Sequence, residues 1–432
     1  MRAGRGWALL RSPVLWAAIL AGPVALFGLH RFGTSDFLRT NLPALNALRA
    51  GHVGAYLDQS TVDMGSYLLR LPLILLPNLW AGGSLALYRL MALPALAGLV
   101  WLGPQLWWRS RRLGAGAVAA SIGLVLFVLN PFVLTALVRT HPEDLVGGML
   151  CVAAVLSARR DRATLAGVVV GLAIANKAWA LVAVVPVLWL LSAHRFRALV
   201  IAGAIPVLAL LPLVVRDLTH TAQATAGGSG LSHVTGIAST SYVLKPWNVW
   251  WFFGDSHHLV RSTFGSSHPL YRSPPEWITH ISHPLAIIVP LAVCLWVASR
   301  MDRRRWTQAL LLLALALQLR CMFDAWNIDY YQAPFTIALL AWELLERRRV
   351  PVISFVVIAT GWVVTTILPF NVSPDVQAAS YLAWSIPTTA WMLWRLLRAG
   401  RIAHDAVAEP HADARERITR RTARPEPLGA RS

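Results

Sequence analysis

The chain alternates long apolar runs with short clusters of arginine. That alternation restricts it to a membrane-spanning fold before any motif is read. Stretches of about 16 to 25 apolar residues recur from end to end, the length that crosses a bilayer as a helix. Within a bilayer only helices and closed barrels satisfy their own backbone, and runs this long without polar alternation exclude the barrel. Composition agrees: 56% of the 432 residues are hydrophobic and 14% charged, with a mean hydropathy of +0.55. About a quarter of a soluble domain is charged. The expected fold is an all-α, polytopic membrane protein.

The apolar runs predict about twelve spans, at roughly 13–30, 82–107, 116–138, 144–158, 163–176, 178–193, 198–215, 284–299, 306–323, 330–345, 352–370 and 378–396. Between them lie Arg109, Arg111 and Arg112; Arg159, Arg160 and Arg162; Arg195 and Arg197; Arg300 with Arg303, Arg304 and Arg305; and Arg347, Arg348 and Arg349. The positive-inside rule puts all of these, and both termini, in the cytoplasm. Residues 163–195 admit two readings, one long helix or a hairpin of two arms of about 15 residues, roughly 22 Å each. The single helix would send three arginine clusters outside, so the hairpin is the expectation. The outer segments then fall at about 31–81, 139–144, 216–283, 324–329 and 371–377. Residues 1–399 form one membrane domain. The polar, charged segment 400–432 is expected to be a disordered cytoplasmic tail.

Several classes drop out. The net charge of +19 suits nucleic acid, but most of it sits in short loops and the tail, where it orients the chain and meets anionic lipid. No nucleic-acid partner is expected. Cys151, Cys294 and Cys321 all lie in apolar runs without metal-ligand spacing. No Rossmann fingerprint or P-loop occurs. The first apolar run lacks a small-residue cleavage site and reads as a retained anchor. Arginine-rich, lysine-poor usage points to a GC-rich bacterium, and the expected location is its plasma membrane, with the site facing outward.

The acidic residues at helix mouths fall on the side the arginines avoid. Asp36, in Gly33-Thr34-Ser35-Asp36-Phe37, follows the first span and is either the N-cap of the next helix or a reactive carboxylate. An amphipathic stretch with Leu42, Leu45 and Leu48 follows, then Tyr56, then a short apolar run ending near Trp80 that reads as an interfacial helix. Between spans three and four, Arg139-Thr140-His141-Pro142-Glu143-Asp144 packs four ionisable groups into six residues. Capping explains them as well as function does. The loop 216–283 carries a glycine-rich segment and Lys245-Pro246-Trp247-Asn248-Val249-Trp250-Trp251, read as an interfacial anchor. Its Asp255, His257 and His258 are too few for a metal site by themselves. Arg320 lies about one turn inside its span, and Asp324 on the same face predicts an internal ion pair. Only two basic residues are lysines, Lys177 and Lys245, both on the expected outer side.

Together these segments resemble the glycosyltransferase C superfamily, most closely the bacterial family 87 polyprenyl-phosphate-mannose-dependent mannosyltransferases. The resemblance rests on Asp36 followed by Gly51 and Tyr56, on the Gly-rich run Ala166 to Lys177, and on Asn327 to Pro334 with Tyr330 and Tyr331. It covers most of residues 13–396. The chain departs from the family at 140–144, where members carry a Gly-Gln-containing motif. The resemblance implies a GT-C-like fold and a membrane glycosyltransferase acting outside. Asp36 would be the catalytic base, and Lys177, Arg320, His141, Glu143, Asp144, Tyr56, Asn327, Asp329 and Tyr330 would bind substrate.

The implied chemistry suits these residue types. A lipid-phosphate sugar carries its own leaving group, and the departing phosphate needs no general acid. A carboxylate must take the acceptor proton, and cations must hold the growing phosphate charge. Direct attack inverts the anomeric centre. The expected partners are a polyprenyl-phosphate sugar, with mannose implied by the resemblance, a lipid or glycan acceptor, and membrane lipid. No cofactor is demanded, and the chemistry leaves room for a divalent metal. The rival expectation is a multi-span transporter, which twelve spans with both termini inside would also suit.

Overall fold

A computed structural model describes residues 12–30, 37–59, 64–76, 83–220, 243–261, 270–302 and 305–422. Helices stand at each of the twelve expected positions. They are α1 Pro13–His30, α6 Gly83–Arg112, α7 Ala117–Val128 continued by α8 Pro131–Val138, α9 Pro142–Ala158, α10 Ala163–Asn176, α11 Val184–Leu190, α12 Arg195–His220, α13 Glu276–Ala298, α14 Gln308–Phe323, α15 Gln332–Glu346, α16 Val352–Trp362 and α17 Pro374–Thr422. Between α1 and α6 lie the short helices α2 Leu42–Arg49, α3 Val53–Asp58, α4 Met64–Leu69 and α5 Leu71–Leu75.

Among the described residues, six stretches are long and apolar enough to cross a membrane: Pro13–His30, Gly83–Arg112, Ala117–Val138, Arg195–Arg216, Glu276–Ala298 and Val352–Phe370. The other segments are shorter or sheathed by protein. All of α14 from Gln308 to Met322 is buried, and so is α15 from Gln332 to Leu345. A helix apolar on every side is a core helix. These two form the axis of the bundle, packed against each other and against α9, α13 and α17.

The segment with two readings reverses direction. After α10 the backbone breaks at Lys177 (φ −153°, ψ 126°), passes through 3-10 turns at Ala178–Ala183 and returns along α11. Asp161, just before α10, accepts hydrogen bonds from the Ser192 backbone N–H (3.1 Å) and hydroxyl (2.7 Å), just after α11. Both ends of the excursion therefore lie on one side. The next helix confirms the count of reversals. Gly167 of α10 lies against Ala198 and Ile201 of α12, and Gly171 against Ala202 and Ile205. The register advances in the same direction on both helices, so α10 and α12 are parallel. A single helix through 195 would have made them antiparallel.

The hairpin gathers basic clusters at one end. Arg109 is within electrostatic reach of Arg159 and Arg160, the Arg159 guanidinium lies 4.0 Å from the Trp306 ring centroid, and Glu346 accepts from Thr307 and Gln308. The segments 139–144, 176–179 and 324–331 meet at the other end.

Three expectations change. The long loop departs from the all-α expectation: β1 Asp255–Arg261 pairs antiparallel with β2 Leu270–Ser273, and Leu244 bridges to Arg272. Its tryptophans do not form an interface belt. Trp247, Trp250 and Trp251 are buried: Trp247 joins the main core, and Trp250 and Trp251 fill the end of the bundle beside Phe323 and Ala325. The apolar run ending near Trp80 is described only as far as Leu76, where it forms α5, and its end lies outside the described residues. Met64 to Tyr67 of α4 are buried, and Gly65 sits so close to the Ala175 carbonyl that an added Cβ would be 1.9 Å from it. Finally, α17 continues to Thr422 where a disordered tail was expected. The run is rich in alanine, arginine and glutamate, all strong helix formers.

The reversal at Lys177 is testable. In intact cells, Gly230→Cys and Pro374→Cys should react with an impermeant thiol reagent and Arg303→Cys should not. The native cysteines are buried and give little background. Labelling at 303 with protection at 230 would show that the arginine end faces outward.

Candidate functional site

The site is built on the start of α9. Thr140 adopts a left-handed φ of 67°, which turns the chain sharply from α8 into α9. Pro142 at the first position of α9 is pre-set for a helix, and Glu143 and Asp144 in the first turn oppose its dipole. That capping role does not account for their burial: Glu143 is 2% and Asp144 0% exposed. Buried carboxylates require partners, and two other segments together with the neighbouring His141 supply them.

The first partner is Lys177, at the break between α10 and the 3-10 turns. Its Nζ lies 3.5 Å from Glu143 Oε1 and 3.2 Å from Asp144 Oδ2. The second is Arg70, between α4 and α5, with Nη2 3.6 Å from Glu143 Oε2. Arg70 also donates to Met91 O (2.9 Å), Ser66 O (3.2 Å) and Ser66 Oγ (2.6 Å). The third is His141, whose Nδ1 is 2.7 Å from Glu143 Oε1 and whose ring stacks on Tyr330 at 4.3 Å. Trp179 Nε1 donates to Asp144 Oδ1 at 3.0 Å. Asn176 joins the segments, donating to Glu143 O (2.8 Å) and accepting from Ser66 Oγ (2.7 Å).

A second charged group adjoins the first. Arg320 pairs with Asp324 at 3.2 Å, as the spacing of four residues predicted. Its guanidinium lies 4.1 Å from the Tyr331 ring and 5.5 Å from the Trp179 ring, so Trp179 links the groups. His283 Nδ1 is 3.7 Å from Asp324. Arg139 reaches Asp329 at 3.3 Å from the rim, its side chain 59% exposed. Among the described residues, Arg70, Lys177 and Arg320 thus stand against Glu143, Asp144 and Asp324.

The structure brings together His141, Glu143, Asp144, Lys177 and Tyr330, and carries Arg320 and Asp329 at their border. Two expected binding residues lie apart from this group. Tyr56 packs with Ala44, Met64 and Leu213 and donates to Met64 O at 3.4 Å. Burial raises its phenol above its ordinary range, with Arg70 opposing. Asn327 ties the long loop to α17, donating to Trp247 O and to the Tyr381 hydroxyl. Asp36 lies outside the described residues.

Arg70, Asn176, Ser66 and Trp179 were not legible as site residues. Arg70 left one signal, a lone arginine inside Leu68-Leu69-Arg70-Leu71-Pro72, which burial would force onto an anion. Ser66, Asn176 and Trp179 left none, because their roles depend on α4 docking at the α10 break.

His141, Glu143 and Asp144 place ligand atoms within 4.8 Å of one another, and the nitrogen-plus-carboxylate set would suit a divalent ion. The Lys177 ammonium already lies against both carboxylates, where it supplies the positive charge a metal would bring. The residues therefore do not fit a resident metal.

No protein-family model matches the sequence, and no curated protein matches it. Among solved structures, the chain is similar to the archaeal oligosaccharyltransferase AglB from Archaeoglobus fulgidus, in complex with an inhibitory peptide and a dolichol-phosphate, at TM-score 0.36 and 14% identity. The match covers 88% of this chain and 56% of that one, so this chain spans about half the length of that protein.

The ion pairs make a stability prediction. Lys177→Met leaves two buried carboxylates short of a cation and should cost about 3–5 kcal/mol. Asp144→Asn added to it should recover part of that loss. Thermal unfolding of the two single variants and the double variant in detergent measures the coupling. Strict additivity would mean that the two side chains do not form a pair.

Proposed function

We propose that this protein is a membrane glycosyltransferase that moves a sugar, with inversion, from a polyprenyl-phosphate donor to a lipid or glycan acceptor on the outer face of a bacterial plasma membrane. The sequence resemblance favours mannose as the sugar. The observation that carries the reading is the buried cluster of Arg70, His141 and Lys177 with Glu143 and Asp144, at the end of the bundle away from the arginine clusters. Such a cluster holds preorganised cations, each against a carboxylate, in a water-poor site, where those that a departing phosphate takes over stabilise it far better than they could in bulk solvent.

The parts have distinct roles in this reading. Lys177, with His141 and Arg320, takes the donor phosphate, and the phosphate competes with Glu143 and Asp144 for the Lys177 ammonium. Glu143 and Asp144 hold the cations in place when no donor is bound. Tyr330, stacked on His141, and Asp329 border the sugar. Asp36 takes the acceptor proton. Phe37, the next residue, is buried against Tyr88 (5.6 Å). Tyr88 in turn donates to the carbonyl of Leu137, just before the turn into α9, so the chain after Asp36 is anchored beside the cluster.

One observation favours a transporter instead. Ionisable groups meet at a broken helix, at Lys177, as they do in many transport sites. Net uptake without any change in the substrate would support that reading.

Asp36→Asn separates catalysis from capping. Asparagine caps a helix about as well as aspartate but cannot accept the proton. Turnover of polyprenyl-phosphate mannose by the purified variant should fall about 100-fold or more, with an unchanged melting curve. Near-normal turnover by the folded variant would remove Asp36 from the reaction.

A further inference from the structure

A groove of about 640 Å³ runs down the side of the bundle at its arginine end. Its walls are the first turns of α7 and α16, which flank α15. Val118, Ile122 and Val125 on one face of α7 oppose Val352 and Phe355 of α16, and all five are exposed. Ser121 is the one lining residue with a polar side chain, and its hydroxyl is occupied by Trp107 Nε1 at 3.3 Å. Gly123 lies directly against Leu344 of α15, which keeps α7 close to the axis and leaves the space beside it open.

The charge at the mouth of this groove is one-sided. Arg111 and Arg112 immediately precede the start of α7, and Arg347, Arg348 and Arg349 immediately precede the start of α16. All five are exposed. The two carboxylates that precede Arg347–Arg349 in sequence are already committed: Glu346 accepts from Thr307 and Gln308, and Glu343 caps α16 by accepting from the Ile353 N–H (3.1 Å), Ser354 N–H (2.7 Å) and Ser354 hydroxyl (2.8 Å). Glu343 also pairs with Arg347 at 3.7 Å. The α7 N-terminus has no side-chain cap, so its free N–H groups add positive potential at the same mouth. From Val118 to Val125 the wall extends about 10 Å along the helix, inward from the arginines.

We propose that this groove binds one anionic phospholipid of the leaflet at the arginine end, its acyl chain along α7 and α16 and its phosphate headgroup between Arg112 and Arg348–Arg349. The ligand chemistry follows from the two halves of the site. A dry, branched-aliphatic wall accepts a hydrocarbon chain, and a rim of exposed guanidinium groups accepts a phosphodiester through paired N–H donors. A zwitterionic lipid satisfies the wall but brings its own cation to the rim. The site is distinct from the cluster around Glu143, at the opposite end of the bundle, and stands whether that cluster transfers sugars or transports a solute.

The test uses the full-length protein, stripped of lipid in neutral detergent and titrated with phosphatidylglycerol or phosphatidylcholine, with retained lipid read by native mass spectrometry. Phosphatidylglycerol should be retained at one molecule per chain in clear preference to phosphatidylcholine. Replacing Arg112, Arg348 and Arg349 with glutamine should weaken that retention by about fivefold per arginine removed. Val118→Trp, at an exposed position, should block the chain and lower retention without moving the lipid-free melting temperature. Equal retention of the two lipids by the wild-type protein overturns the proposal without recourse to any variant. So does phosphatidylglycerol retention that is indifferent to Val118→Trp, which would mean that the headgroup rests on surface arginines alone.

Discussion

The pairing of Glu143 with Arg70, His141 and Lys177 is the constraint on which the end of the bundle depends. A lone carboxylate buried to this depth would be costly, and removing one partner of a buried pair leaves the other uncompensated. Each partner comes from a different part of the chain. Arg70 brings the segment between α1 and α6 down onto α10, His141 sets the turn into α9, and Lys177 fixes the point at which α10 stops. The segments cannot separate without stranding charge, so the ion pairs hold the shape of the site while the apolar axis of α14 and α15 holds the bundle.

The break at Lys177 serves both purposes. It shortens α10 and α11 below the roughly 30 Å that a spanning helix needs, which is tolerable because both are packed among other helices. It also carries an ammonium group to the two carboxylates. The hydrogen bonds from Ser192 to Asp161 close the same excursion at the arginine end. One reversal therefore sorts the chain into two unlike ends, one of clustered arginines and one of paired, buried charge.

Much of the fold was legible because hydrophobic run length and arginine position are local quantities. Helix positions, the hairpin over 163–195 and the Arg320–Asp324 pair all followed from spacing. What was not legible depends on tertiary contact. Trp247, Trp250 and Trp251 read as an interface belt because no local pattern shows that they fill the end of a bundle. Arg70 was not legible as a site residue because its partner, Glu143, is remote in sequence. Lys177 was expected to meet a phosphate, and the structure gives it two carboxylates. In the proposed reaction a donor phosphate would take it from them, since the site is a balanced set of charges rather than a waiting cation. The extension of α17 to Thr422 reflects helix propensity that a reading of charge and proline content set aside.

The central claim is that the end of the bundle around Glu143 handles a lipid-phosphate sugar by chemistry rather than by carriage. The most direct measurement reconstitutes the wild-type protein in liposomes with lipid extract from a bacterial envelope and polyprenyl-phosphate mannose labelled in the sugar, and follows where the label goes. The account predicts free polyprenyl phosphate together with a new glycosidic product of inverted anomeric configuration. Label that stays on the donor, or that crosses the bilayer still attached to it, would contradict the account.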